Sequence, residues 1–512
     1  MTPRTLDALL WFTLAVLLLF TIPVGYVSND GLGHSRSFEQ GTWHLNPNHL
    51  TFEPLGAWWQ DLWARNGSQR ESVDVLKLLS VLFGALAVGL FRYGVAARLA
   101  ATRWAANHAT AWVAFSSAFL RLWVSDEIHM IQMPFVVLVA WAALRYLEKP
   151  SHGRALTAGV TVGLASLTFI SNLALGMTLA VALAAWHLGR REARLAIGSA
   201  ISLGLGAALV AGPIFLGAWL TVPGAPGFLG WLTRYGGGQG RVSEAYGLVP
   251  SWEGLMESVI RAGYGAASAL VDLTPIAAAV RDRQPPTPAA VLGSLAFLAA
   301  GAALLHGLRK ADRKVLLLTA AWLAAILGFG VFWNNSDDQF YFQLAPVFGV
   351  LAARITGRRF LALSLAGLLW NVVDVTSQRI LYPRWERMAL LEREVSGACL
   401  VVYPGFDEPE LLLRMSRSAG PIEQMAMTRL AVEHPYEEGM RALIEEIQGC
   451  SARGGRIVLI DMFDTPPDRN PWKFLWRLGY DRAAIERSLE RLSVEKSSRR
   501  VGPFTVRHSK GR

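Results

Sequence analysis

The sequence reads as an all-α polytopic membrane protein that carries a small α/β domain at its C-terminal end. Three observations carry that reading. Hydrophobic residues make up 52% of the 512 positions and charged residues only 17%, giving a mean hydropathy of +0.31, whereas soluble chains carry roughly 25% charge. Eleven stretches are mostly apolar, each near the ~20 residues that cross ~30 Å of hydrocarbon at ~1.5 Å per residue. After about residue 380 the pattern stops, acidic and basic residues mix, and no run is long enough to span.

In order, the apolar stretches are 8–28, 74–92, 106–124, 130–147, 156–174, 176–189, 195–221, 288–307, 315–333, 340–356 and 360–378, the sixth being the shortest. The first is a retained helix rather than a cleaved signal peptide, because its apolar run is long and no small-residue cleavage site follows it. The formal charge of +10 has a topological explanation. With Met1 inside, the inward short loops carry Arg92, Arg98 and Arg103, then Arg145, Lys149 and Arg154, then Arg190, Arg191 and Arg194. Arg309, Lys310, Arg313 and Lys314 follow, and then Arg354, Arg358 and Arg359. The outward short loops Ser125–His129, Ser171–Leu175 and Asn334–Gln339 contain no Lys or Arg. Positive residues inside are the rule for polytopic proteins, so the basic charge does not call for a nucleic-acid partner.

Residues 1–380 therefore form the transmembrane domain, with long outward loops at 29–73 and 222–287, and 381–512 form the outward α/β domain. Ser251–Leu270 is amphipathic and is expected to lie along the membrane surface. In the C-terminal domain Cys399–Tyr403 and Arg456–Met462 read as buried strands, separated by helical periods near Asp407–Ser416 and Tyr436–Gln448.

The polar residues that topology leaves unexplained collect on the outward side. Asp30 follows the first helix directly, and a partly desolvated carboxylate at a helix mouth is suited to proton transfer. The same loop holds Arg36, His44, His49 and Glu53. The second outward loop packs Asp126, Glu127 and His129 together, a donor set suited to Mg²⁺ or Mn²⁺ and admitting Zn²⁺. A third, Asn334–Tyr341, holds Asp337 and Asp338 and leads into Pro346. The middle loop supplies Arg234, a Gly-rich run and Arg241; arginine forks onto phosphate oxygens. No strand precedes that run and no Lys-Ser/Thr follows it, so it is not a nucleotide P-loop. His108, His152, His187 and His306 lie toward the inward side and are expected to snorkel. Cys399 and Cys450 stand near the starts of the two expected strands, where parallel pairing would bring them together. A Cys399–Cys450 disulfide is expected, with two free buried thiols as the alternative.

With these residues in view, the chain resembles the integral membrane glycosyltransferases of the GT-C superfamily, in the family 39-like branch of protein mannosyltransferases and lipid A aminoarabinose transferases. Asp30 matches the acid that opens their first outer loop, Gly41-Thr42-Trp43 its middle motif, and Phe52-Glu53-Pro54-Leu55 its end. Asp126 matches the acidic turn after the third span, and Phe340-Tyr341 with Pro346 an aromatic-then-proline helix start. The chain departs from the pattern at Gly31, at Pro54 and at Gln339, where the family carries a second acid, a Lys and often an Arg.

The resemblance implies an inverting transfer of a sugar from a polyprenyl-phosphate donor, held in the bilayer, to an acceptor hydroxyl on a lipid, glycan or protein. It casts Asp30 as the base, with Arg36, Arg234, Arg241 and Tyr341 on the donor phosphate. Glu53, Asp126, Glu127 and His129 would bind the acceptor or a divalent cation (Mg, Mn or Zn). A bacterial inner membrane with a periplasmic C-terminal domain is the expected setting. Two rivals remain: a transporter or flippase of lipid-linked substrates, which would carry mid-membrane charges, and a non-catalytic envelope assembly protein.

Overall fold

The computed structural model describes residues 2–21, 29–41, 45–67, 72–125, 128–222, 227–233, 251–281, 283–333, 340–380, 384–405, 409, 412–413, 423–463, 471–492 and 499–508. The chain divides into two compact units, one built from Met1–Tyr26, Gly33–Thr233 and Leu248–Leu381, the other chiefly from Tyr382–Arg512.

The first unit is helical. It opens with α1 (Pro3–Thr21), the part of α2 (Asn29–Gln40) from Gly33 onward, a 3₁₀ turn at Pro47–His49 and α3 (Phe52–Arg65). Then α4 (Ser72–Leu90) runs through a π-helical turn at Phe91–Ala96 to Leu99. Next come α5 (Arg103–Phe115), α6 (Ser117–Trp123), a 3₁₀ turn at Ile128–Gln132, α7 (Met133–Glu148), α8 (His152–Thr168), α9 (Asn172–Leu188) and α10 (Ala193–Thr221). After α11 (Phe228–Thr233) and α12 (Trp252–Leu270) follow α13 (Thr274–Arg281), α14 (Pro288–Arg309), α15 (Arg313–Trp333), a 3₁₀ turn at Phe342–Leu344, α16 (Ala345–Ala352) and α17 (Arg358–Ile380). Thr102, Ser151, Ser251 and Thr287 start their helices by accepting a backbone N–H of the first turn.

Among the described residues six helices, rather than eleven, are long and apolar enough to cross a membrane: Ser72–Leu99, Ile128–Glu148, Ala193–Thr221, Pro288–Arg309, Arg313–Trp333 and Arg358–Ser377. The expected third span is split at Ser116, whose extended backbone separates α5 from α6. The fifth and sixth are helices of 17 residues, short of 30 Å by a few ångströms at ~1.5 Å per residue. The tenth is a 3₁₀ turn followed by an eight-residue helix. The first falls on α1, which ends at the limit of the described residues.

Small residues let the helices meet closely. A Cβ on Gly159 of α8 or Gly206 of α10 would strike the carbonyl oxygen of Leu203 or Leu156 on the facing helix, the close-packing solution typical of membrane helices. The same logic orients α12. Its small face, Gly254, Ser258, Ala262 and Gly265, is buried, with Gly265 against the ring of Tyr341, while Trp252, Met256, Val259 and Ile260 stay exposed. The helix is amphipathic as expected, and its small face packs into the bundle.

Polar contacts pin the helix ends that are expected to face inward. Asp7 pairs with Arg92 and Arg103, and Asn107 accepts from Trp11 and Arg92. Two of the histidines expected to snorkel are instead buried. His187 is fully buried, with Nδ1 2.6 Å from Glu192 Oε2 and Nε2 2.6 Å from the hydroxyl of Tyr146, which also meets Ser199. His108 is buried against Ser364, which also accepts from Trp112. Both nitrogens of His187, and Nε2 of His108, have partners inside the protein, which lessens the drive to reach water.

The second unit begins with α18 (Arg384–Val395) and holds a five-stranded sheet, where two strands were expected. β1 (Ala398–Tyr403), β2 (Glu423–Ala426), β3 (Arg456–Ile460), β4 (Arg499–Val501) and β5 (Phe504–His508) lie in the order β2-β1-β3-β5-β4. β1 is parallel to both neighbours, and β5 is antiparallel to β3 and β4. Leu400, Val402, Ile457 and Leu459 feed one core and Val401, Tyr403, Val458 and Ile460 the other; burial on both faces explains why only β1 and β3 are continuous apolar runs. The helices α19 (Met427–Glu433), α20 (Tyr436–Ala452), α21 (Trp472–Arg477) and α22 (Arg482–Arg491) complete the unit. Cys399 of β1 and Cys450 of α20 form a disulfide with Cα atoms 5.9 Å apart. A side chain at Gly455 would collide with both sulfurs. Most of the helical period expected near Asp407–Ser416 lies outside the described residues.

Candidate active site

The described site residues of the first unit gather where α2, α3 and the turns before α7 and α16 meet. Glu53 sits in the first turn of α3 and is 4% exposed; its Oε1 lies 2.9 Å from Nδ1 of His34, which α2 presents at 19% exposure. The other oxygen of Glu53 has no partner among the described residues. Phe38 and Phe52 wall the pair, with ring centroids 6.3 and 4.9 Å from His34.

His49 closes the Pro47–His49 turn and stacks on Phe169 at 5.0 Å. Its ring lies 6.4 Å from His34 and 5.5 Å from His129. Burial first, then the neighbouring His129 and His34, hold its pKa well below the usual imidazole value, so it is neutral at physiological pH. His129 in turn meets Phe169, Phe340 and Phe342 at 5.1, 6.0 and 6.4 Å. Glu53 and His129, far apart in sequence, thus share one wall of aromatic and imidazole rings. His34 and His49 complete it; nothing in the spacing of the first loop ties either to Glu53.

The other expected residues divide. Arg36 bonds Glu39 at 2.7 Å, and Glu39 also takes the hydroxyl of Ser72. Tyr341 is fully buried, its ring held between Gly265 of α12 and Gly330 of α15. Asp30 lies in the first turn of α2, its side chain outside the described residues, as are Asp126, Glu127, Arg234 and Arg241. Among the described residues no three His, Cys, Asp or Glu surround a common metal position.

An apolar groove of about 420 Å³ is lined chiefly by residues of α9 and α10. Small residues line it, among them Gly176, Ala180, Gly204, Ala208 and Gly212, together with Phe215, Phe228 and Leu232. Phe228 and Leu232 belong to α11, whose last residue, Thr233, directly precedes Arg234.

An aminoarabinose transferase, ArnT from Cupriavidus metallidurans, solved with undecaprenyl phosphate, superposes over 98% of this chain and 97% of its own at a TM-score of 0.54 and 12% identity. The chain has the GT-C fold. Two structures of the oligosaccharyltransferase AglB from Archaeoglobus fulgidus extend the likeness. One, in complex with an inhibitory peptide and a dolichol-phosphate, gives a TM-score of 0.51; the other, tethered to an acceptor peptide, gives 0.53. Both are 14% identical and cover 94% of this chain and 72% of theirs. No protein-family model matches it, and no curated protein matches by sequence.

Proposed function

We propose that the protein is a membrane glycosyltransferase that moves a sugar from a polyprenyl-phosphate donor to an acceptor hydroxyl on the extracytoplasmic face, with inversion. The apolar groove carries the reading: its lining is apolar, as a hydrocarbon chain requires, and α11, which contributes Phe228 and Leu232 to it, leads in sequence into the arginines of the middle loop. Its GT-C neighbours were solved with undecaprenyl phosphate and dolichol-phosphate.

Asp30 takes the proton of the acceptor hydroxyl as it attacks the anomeric carbon, and the phosphate leaves with the electrons of the broken C–O bond. Arg234, Arg241, Arg36 and Tyr341 supply the positive charge and hydrogen bonds that stabilise that phosphate. Glu53 and His129 line the acceptor side, and Asp126 and Glu127 with His129 would hold a divalent cation if the reaction uses one. In this reading the helices cross the bilayer eleven times, the short or broken ones filling the protein interior. Met1 lies in the cytoplasm, and the second unit stands in the periplasm of a bacterial inner membrane.

The test is transfer from polyprenyl-phosphate monosaccharides by the full chain in liposomes. Loss of turnover in Asp30→Asn with donor binding retained supports the reading. Movement of the lipid across the bilayer with no transfer would replace it with the flippase.

A further inference from the structure

Three amides from three different segments meet in the protein interior. Gln132 ends the turn before α7, Asn172 is the first residue of α9, and Gln343 sits in the turn before α16. All three are at least 97% buried. Gln132 Oε1 accepts from Asn172 Nδ2 at 2.8 Å and from Gln343 Nε2 at 2.6 Å, and Asn172 Nδ2 also donates to the carbonyl of Ala165 at 3.0 Å.

These bonds fix the amide orientations. Turning Gln132 over would set its NH₂ against two other NH₂ groups, and turning Asn172 over would set its oxygen against two acceptors. Two groups are then left over, the Nε2 donor of Gln132 and the Oδ1 acceptor of Asn172, each buried and without a partner among the described residues. Polar residues at helix starts ordinarily cap the helix, but the Gln132 side chain makes no cap bond to α7. A half-satisfied buried network is worse than an apolar one. One O–H group answers both needs, accepting from Gln132 and donating to Asn172.

We infer that Gln132 and Asn172 form a hydroxyl-binding notch that recognises one hydroxyl of the transferred sugar. The inference rests on the glycosyltransferase reading and deepens it. The notch lies one helical turn beyond His129, so a ring seated against the His129–Phe169–Phe342 wall would bring a hydroxyl down to it. A site built to bond a hydroxyl rejects the analogue lacking it, because its own polar groups are then stranded.

The test uses the full chain in nanodiscs and a polyprenyl-phosphate hexose with its set of monodeoxy analogues. For the unaltered protein, one analogue should bind about 10- to 100-fold more weakly than the parent sugar. In Gln132→Met and Asn172→Leu that particular penalty should vanish while the parent binds less well. Equal penalties in variant and unaltered protein would overturn the inference and assign the notch to an ordered water. Should the variants not fold, a structure of the sugar-bound protein decides: a sugar hydroxyl between Gln132 and Asn172 supports the notch, and a water there ends it. Binding of no polyprenyl-phosphate sugar by the unaltered protein would remove the glycosyltransferase reading itself.

Discussion

Nδ1 of His34 lies 2.9 Å from Oε1 of Glu53, and the second oxygen of the same carboxylate is buried with no partner among the described residues. One oxygen is held and, in the proposed reading, the other meets the acceptor. Glu53→Gln keeps the size and one carbonyl acceptor for His34 but removes the negative charge. Turnover should fall by about 10²-fold or more, with little change in the thermal unfolding midpoint. If Glu53 and Asp30 work on one proton path, Asp30→Asn/Glu53→Gln should be scarcely slower than the worse single variant, since residues acting as a unit are not additive. Single-turnover rates for the three variants check this, and multiplicative losses would separate the two carboxylates.

The pairing was only half legible in the sequence. Glu53 is named by the motif around it, and His129 by its acidic neighbours. His34 has neither, because what brings it to Glu53 is the turn of α2 against α3, set by long-range packing such as Phe38 against Gly56. Likewise Gln132, Asn172 and Gln343 look like ordinary helix-start residues until three loops are folded together. Periodicity located the apolar segments well but overstated their continuity, since Ser116 and Pro346 interrupt helices without interrupting hydropathy. In the C-terminal unit the central parallel strands were plain as apolar runs. The short edge strands β2 and β4 were not, being partly exposed and built of mixed residues such as Glu423 and Arg499.

The disulfide of the second unit closes a sequence separation of 51 residues between β1 and α20. Loop closure on that scale stabilises by about 2–4 kcal/mol. Cys399→Ser/Cys450→Ser should lower the stability of this unit by that amount, and Gly455→Ala should weaken it through collision with both sulfurs. Denaturant unfolding of the full chain, followed by a probe in the second unit, measures both. Unchanged unfolding on reduction would show that the bridge contributes nothing.

His49 gives the stability a pH dependence of known sign. Its folded pKa is depressed, chiefly by burial, while in the unfolded chain it titrates near 6.5. As pH falls below about 6.5 the unfolded state takes up a proton that the folded state refuses, so this contribution is present above that pH and lost below it. The slope from this residue is at most about 1.4 kcal/mol per pH unit. His49→Gln should flatten the fall in melting temperature between about pH 6.5 and 5. An identical profile in the variant would show that His49 protonates freely in the folded protein.

The groove along α9 and α10 yields a contrast between glycines two positions apart. A Cβ at Gly204 meets nothing within 4 Å, and Gly204 lines the groove, whereas a Cβ at Gly206 runs into the carbonyl of Leu156 on the facing helix. Gly204→Leu should therefore fold and fill part of the roughly 420 Å³. A donor with a long polyprenyl tail should then show an apparent KM raised about tenfold, by loss of roughly 1.4 kcal/mol of apolar burial, with kcat little changed. A donor with a short tail should be less affected, because less of it lies in the groove. Gly206→Ala should instead force the helices apart and lower thermal stability by about 1–3 kcal/mol, as overpacking does, whatever the length of the donor. Tail-length dependence of KM in Gly204→Leu, set against stability in Gly206→Ala, distinguishes a lipid-binding groove from a packing defect. An equal effect of Gly204→Leu on long-tailed and short-tailed donors would show that the chain of the donor runs elsewhere.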